Sequence, residues 1–132
     1  MIKKVDHLGV AVKSIEEALG LYRDALGLHV EKVQEQPSDG VKVCFLPVGD
    51  SEIELLEPLS DEGPLAKFLE NKGEGIHHIC LEVDDIDREL KDLEAKGVQL
   101  IDKVSRPGAV GKVAFLHPRS TKGVLLELVQ KD

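Results

Sequence analysis

An internal repeat constrains this chain more than any other feature. Asp6-His7-Leu8-Gly9-Val10-Ala11-Val12 aligns with His77-His78-Ile79-Cys80-Leu81-Glu82-Val83 at an offset of 71. The offset holds at Ile15/Ile86, Leu19/Leu90 and Tyr22/Leu93, and slips by one where Ala25-Leu26-Gly27-Leu28 meets Ala95-Lys96-Gly97-Val98. Phe45-Leu46 then matches Phe115-Leu116, and Glu52-Ile53-Glu54-Leu55-Leu56 matches Leu125-Leu126-Glu127-Leu128-Val129 at an offset of 72 to 73. Each half reads as a strand, a helix and two or three further strands. At 132 residues the chain is near the common size of one domain, so two independent cores are not expected. The boundaries predicted are a first module over about 1–58, a linker over 59–75 and a second module over about 76–132, within one domain spanning 1–132.

Local signals agree with this division. Val5 to Val12 is a short apolar run rich in branched residues, the signature of a strand. Ser14-Ile15-Glu16-Glu17 is a capping box, followed by a helical stripe of Ile15, Ala18, Leu19, Tyr22 and Leu26 that Gly27 closes. Asp84 or Asp85 caps a second helix with Ile86, Leu90 and Leu93 inward and Gly97 at its end. Val41 to Leu46, Ile53 to Leu56, Val113 to Leu116 and Val124 to Val129 read as strands, and Pro64 opens a short helix through Phe68 and Leu69 inside the linker. The fold class is α+β, built from duplicated βαβββ modules.

Composition excludes several function classes. Seventeen Lys and Arg against 25 Asp and Glu leave a formal charge of −8, which disfavours non-specific nucleic-acid binding. Local basic loops can still hold an anionic small molecule. No apolar run approaches the roughly 20 residues that span a bilayer, and the opening MIKKVDHLGV is too short for a signal peptide. A cytoplasmic protein without membrane or nucleic-acid partners is expected. Cys44 and Cys80 cannot form a disulfide framework, and both read as buried core thiols.

Strand alternation exposes four polar residues among apolar ones. His7 shares a face of the first strand with Val5, Gly9 and Ala11, and Glu127 shares one with Leu125 and Val129. Glu54 stands in a similar row with Glu52 and Leu56. A buried carboxylate is costly unless it is paired or binds a metal. By the repeat His7 corresponds to His78 and Glu54 to Glu127, with His-to-Glu spacings of 47 and 49. Taken singly, a strand histidine is usually a satisfied core residue and a strand glutamate usually faces solvent. Recurring in register across a duplication, the four form the donor set of a borderline divalent metal, two nitrogens and two anionic oxygens. His77 points away from His78 and reads as structural, His29 as exposed, and His117 as a turn residue. Arg106 to Lys112 and Arg119 to Gly123 are flexible basic segments that lack any P-loop or Rossmann pattern. Hairpin connections with solvated charges explain them at least as well as phosphate cradles.

The duplicated pattern, with DHLGVAV opening one half and HHICLEV the other, resembles the vicinal oxygen chelate (glyoxalase/bleomycin-resistance) superfamily. Within it the chain is similar to the methylmalonyl-CoA epimerase family over Val5 to Gln130, most specifically at IELLEPLSDEGPLAKFLE, GIHHICLEVDDID and FLHPRSTKGVLLEL. The resemblance implies a curved, cup-shaped mixed sheet around a metal site, with ligands at His7, Glu54, His78 and Glu127. It implies one divalent ion per chain (Co2+ first, with Mn2+, Ni2+ or Zn2+ as alternatives), a CoA thioester substrate and a homodimer. The expected activity is interconversion of (R)- and (S)-methylmalonyl-CoA through a metal-stabilised enolate. Glu127 and Glu54 would be the acid/base residues, and Lys112 and Lys122 would hold the CoA. In some family members the strand that here reads GVKVCFL carries a second acid/base glutamate, and the matching position is Val43. The alternatives are a lactoylglutathione lyase of the glyoxalase I type, and a non-enzymatic small-molecule-binding protein of the same fold.

Overall fold

In the computed structural model, which describes residues 1–131, the two halves repeat one strand arrangement. In the first, β1 (Ile2–Ala11) is followed by α1 (Ile15–Leu19), β2 (Lys32–Gln36), β3 (Val41–Val48) and β4 (Ser51–Pro58). β4 lies parallel to β1 with Gly9 beside Glu54, and β3 is antiparallel to both β4 and β2. α2 (Pro64–Lys72) follows. In the second half, β5 (Gly75–Val83) is followed by α3 (Ile86–Ala95), β6 (Arg106–Pro107), β7 (Gly111–Phe115) and β8 (Leu126–Lys131). β8 lies parallel to β5 with Cys80 beside Glu127, and β7 is antiparallel to both β8 and β6. Gly9/Cys80 and Glu54/Glu127 are equivalent in the sequence repeat, so the duplication extends to strand register. The α+β class and the βαβββ module are both as expected.

Two compact units emerge, residues 7–77 and residues 1–6 with the chain from His78 onward. The divisions fall inside β1, between Asp6 and His7, and inside β5, between His77 and His78. The N-terminal segment is tied to the second unit by charge: the Met1 amino group meets Asp84 Oδ1 at 2.8 Å and Glu89 Oε1 at 3.1 Å, and Lys131 meets the buried Asp6 at 2.5 Å. The predicted linker helix belongs to the first unit, where Leu65, Phe68 and Leu69 pack with Ala11, Val43, Phe45 and Leu56.

Each crossover helix is anchored in the same way. The Ser14 hydroxyl caps α1 by accepting from the Glu17 N–H at 3.2 Å, and Asp85 caps α3 by accepting from the Arg88 N–H. A side chain of the last strand then takes the first helical N–H. Ile15 N–H donates to Glu57 Oε1 at 2.8 Å, and Ile86 N–H donates to Gln130 Oε1 at 2.9 Å. These bonds satisfy donors that a helix start otherwise leaves without a partner, and they fix helix to strand at repeat-equivalent positions. Gly27 and Gly97, at φ 78° and 88°, provide the left-handed turns after the helices. One helix departs from expectation: after Leu19 the first becomes a π-helix over Gly20–Ala25. Its Tyr22 still packs on the core of Val12, Ile15, Leu19, Cys44, Leu46 and Leu55.

The second unit has its own core of Val83, Ile86, Leu90, Ala114, Leu116 and Leu128 beneath α3. Leu90 is fully buried there. Leu90→Ala should destabilise the protein by about 2–5 kcal/mol, the usual result of a large-to-small change in a core that relaxes only in part. Chemical denaturation checks this, and a loss below about 1 kcal/mol would show that the site is not packed as described.

Candidate active site

In the first unit, β1 and β4 set His7 and Glu54 on one sheet face, and His7 Nδ1 lies 3.1 Å from Glu54 Oε2. In the second, β5 and β8 do the same for His78 and Glu127, with His78 Nε2 at 3.2 Å from Glu127 Oε1. Both imidazoles are buried, at 7% exposure, and the glutamate side chains are only 13% and 12% exposed. The sequence repeat thus yields two pairs of the same kind, each built within its own unit.

The donor chemistry is specific. At hydrogen-bond distance a neutral imidazole either donates its N–H to the carboxylate or, through a ring lone pair, shares a cation with it. Burial makes one or the other necessary, because water cannot screen the carboxylate. These residues therefore fit a divalent ion of borderline softness.

The surroundings of the pairs are alike in part: Phe45, with Lys32 over its ring at 5.0 Å, pairs with Glu54 as Phe115 pairs with Glu127. In the second unit Cys80, Val113 and Val129 form a small buried cluster on the face of Glu127. The Phe115 ring stands edge-on to the His78 ring, with centroids 6.2 Å apart. In the first unit Val43, 2% exposed, packs among Ala11, Phe45, Leu56 and Leu65. No carboxylate occupies that position.

Other expected site residues fall elsewhere. Lys112 pairs with Gln130 across β7 and β8, on the face opposite Phe115 and Glu127, and its charge acts on Asp87. The Ser105 N–H is the main cause of the lowered Asp87 pKa, and Lys112 contributes. Lys112, expected with Lys122 to hold the CoA, is thus turned by strand alternation to the helix side of β7. Lys122 is exposed in the loop joining β7 to β8, at φ 62°. His77 stacks edge-on against Phe68 at 4.9 Å, His117 Nδ1 accepts from the Arg119 N–H at 3.0 Å, and His29 is exposed. The sequence reading missed β6. Arg106, read as part of a flexible connection, pairs with Val113 and lies over the Phe115 ring at 5.5 Å.

The model of the Glyoxalase/Bleomycin resistance protein/Dioxygenase superfamily matches residues 6–115. The mitochondrial methylmalonyl-CoA epimerase of Dictyostelium discoideum is 43% identical over 98% of this chain and 80% of its own length. The ethylmalonyl-CoA/methylmalonyl-CoA epimerase of Cereibacter sphaeroides is 42% identical over 98% of this chain and 99% of its own. A solved methylmalonyl-CoA epimerase in complex with methylmalonyl-CoA and NH4+ is 32% identical, with a TM-score of 0.91 over 99% of this chain and 96% of that one. The chain belongs to the glyoxalase/bleomycin resistance protein/dioxygenase superfamily and, within it, to the methylmalonyl-CoA epimerase family.

Neither Cys44 nor Cys80 forms a disulfide, both are fully buried, and burial raises the Cys44 thiol pKa. A thiol reagent should therefore leave the native protein unmodified and titrate both cysteines after unfolding. Rapid native modification of Cys80, which shares the face of Glu127, would show that water reaches that face freely.

Proposed function

We propose that the chain interconverts (R)- and (S)-methylmalonyl-CoA, and that His7, Glu54, His78 and Glu127 together hold one divalent ion. It is an enzyme, an isomerase of the racemase/epimerase class. The observation that carries this reading is the buried histidine–glutamate pair, repeated at equivalent register in both halves. The names of its relatives supply the substrate.

Two imidazole nitrogens and two carboxylate oxygens suit Co2+ first, with Mn2+, Ni2+ or Zn2+ as alternatives. When bound, such an ion supplies Lewis acidity toward the thioester and carboxylate oxygens, which makes the α-proton easier to remove. The chain's own residues move that proton. Glu127 accepts it from one face of the α-carbon, and Glu54, the repeat-equivalent carboxyl, returns a proton to the other face. For the opposite epimer the two exchange roles. Val43, apolar and enclosed, leaves this second role to Glu54. Lys122 supplies a cation for the phosphates of CoA. A cytoplasmic homodimer goes with the reading, and two cysteines outside any disulfide suit a reducing compartment.

The test is solvent deuterium exchange at the α-carbon, followed separately from each epimer, alongside turnover of the glutathione hemithioacetal. The wild type should epimerise the CoA ester, leave the hemithioacetal unchanged and lose activity after chelation. Glu54→Gln should keep the metal, retain exchange from one epimer and lose inversion by about 100-fold or more. Inversion by this variant at the wild-type rate would remove Glu54 from the mechanism.

A further inference from the structure

Arg106 is a cation that the second unit sets on the face of the His78–Glu127 pair. It lies opposite Val113 in β6 and β7, so its side chain emerges on the side of Val113, Phe115 and Glu127. Its guanidinium stands over the Phe115 ring, 5.5 Å from the centroid, and the other side of that contact is the edge-on approach of Phe115 to His78 at 6.2 Å. Cation, aromatic ring, imidazole and carboxylate thus follow one another along a single sheet face.

The arrangement is braced from beneath. Asp102 Oδ2 accepts from the Phe115 N–H at 2.8 Å, while its Oδ1 faces Arg106 Nε at 3.5 Å. One carboxylate therefore ties the guanidinium to the strand that carries the ring. Nε is one of five donors in the guanidinium fork, and the Arg106 side chain remains 44% exposed. A ring beneath and an ion pair at one edge hold a planar cation in a fixed orientation at low entropic cost, a combination lysine does not offer.

Charge gives the position a purpose. The protein carries −8 overall, and this face holds the Glu127 carboxylate, so an anionic substrate needs a local cation to approach it. Resting on the proposed CoA-thioester substrate, we propose that Arg106 binds an oxyanion of the acyl-CoA, either the carboxylate of the acyl group or a phosphate of the CoA. Asp102 acts as its positioning residue.

Calorimetric binding to metal-loaded protein tests this with three probes: methylmalonyl-CoA, propionyl-CoA, which lacks the acyl carboxylate, and the methylmalonyl thioester of N-acetylcysteamine, which lacks the phosphates. Arg106→Gln should weaken methylmalonyl-CoA binding about tenfold or more, the usual loss for a charge-assisted hydrogen bond. Thermal stability should remain near wild type, and Arg106→Lys should recover only part of the loss. A defect kept with the cysteamine thioester and absent with propionyl-CoA identifies the carboxylate, and the reverse identifies a phosphate. Unchanged affinity for all three probes, or a wild type that binds none of them, overturns the proposal. A wild type that binds methylmalonyl-CoA without epimerising it refutes the proposed reaction while the Arg106 comparison still stands on binding.

Discussion

The structure turns on a buried nitrogen facing a buried carboxylate oxygen at about 3 Å, made once in each half. Leaving a carboxylate among apolar neighbours without a proton or cation costs several kcal/mol. Both the histidine and the glutamate must therefore be delivered to one face in register. Parallel pairing of the first and last strand of each module does this, setting Gly9 beside Glu54 and Cys80 beside Glu127. Parallel pairing in turn requires a crossover helix. The Glu57 and Gln130 side chains lock that helix to the last strand through the backbone of Ile15 and Ile86. The pair, the strand register and the helix anchor form one linked device, present twice.

Much of this was legible in the sequence because duplication supplies an internal comparison. A lone histidine in a strand says little, whereas His7 and His78, with Glu54 and Glu127 at matching spacings, mark the same face twice. The helix stripes and their closing glycines were equally readable. What escaped was set by tertiary context. β2 is an exposed edge strand of mixed composition, Lys-Val-Gln-Glu-Gln, with no alternation to mark it. β6 is two residues long, and its proline and neighbouring glycine resemble a turn. In the π-helix after Leu19, Tyr22 stays on the core while Leu21 and, just beyond, Leu26 of the expected stripe are exposed, a change that the apolar spacing did not reveal. Lys112 drew notice through its charge, whereas its strand parity, which turns it toward Asp87, is visible only once β7 is paired with β8.

The two halves share part of what surrounds the repeated pair. In the first, Phe45 pairs with Glu54 and Lys32 lies over its ring at 5.0 Å, while Val43 is sealed among Ala11, Phe45, Leu56 and Leu65. Beside His78 and Glu127 stands an aromatic ring with an arginine above it. The duplication thus extends to a cation on an aromatic ring in each half, a lysine in the first and an arginine in the second.

The central claim is that both histidine–glutamate pairs serve one ion. Calorimetric titration of Co2+ into chelator-treated protein, with elemental analysis of the product, tests it most directly. The account predicts one ion per chain, with His7→Ala and His78→Ala each abolishing that same binding event in a protein that remains folded. Two ions per chain, or a variant that loses one pair and still binds with wild-type stoichiometry and affinity, would contradict it.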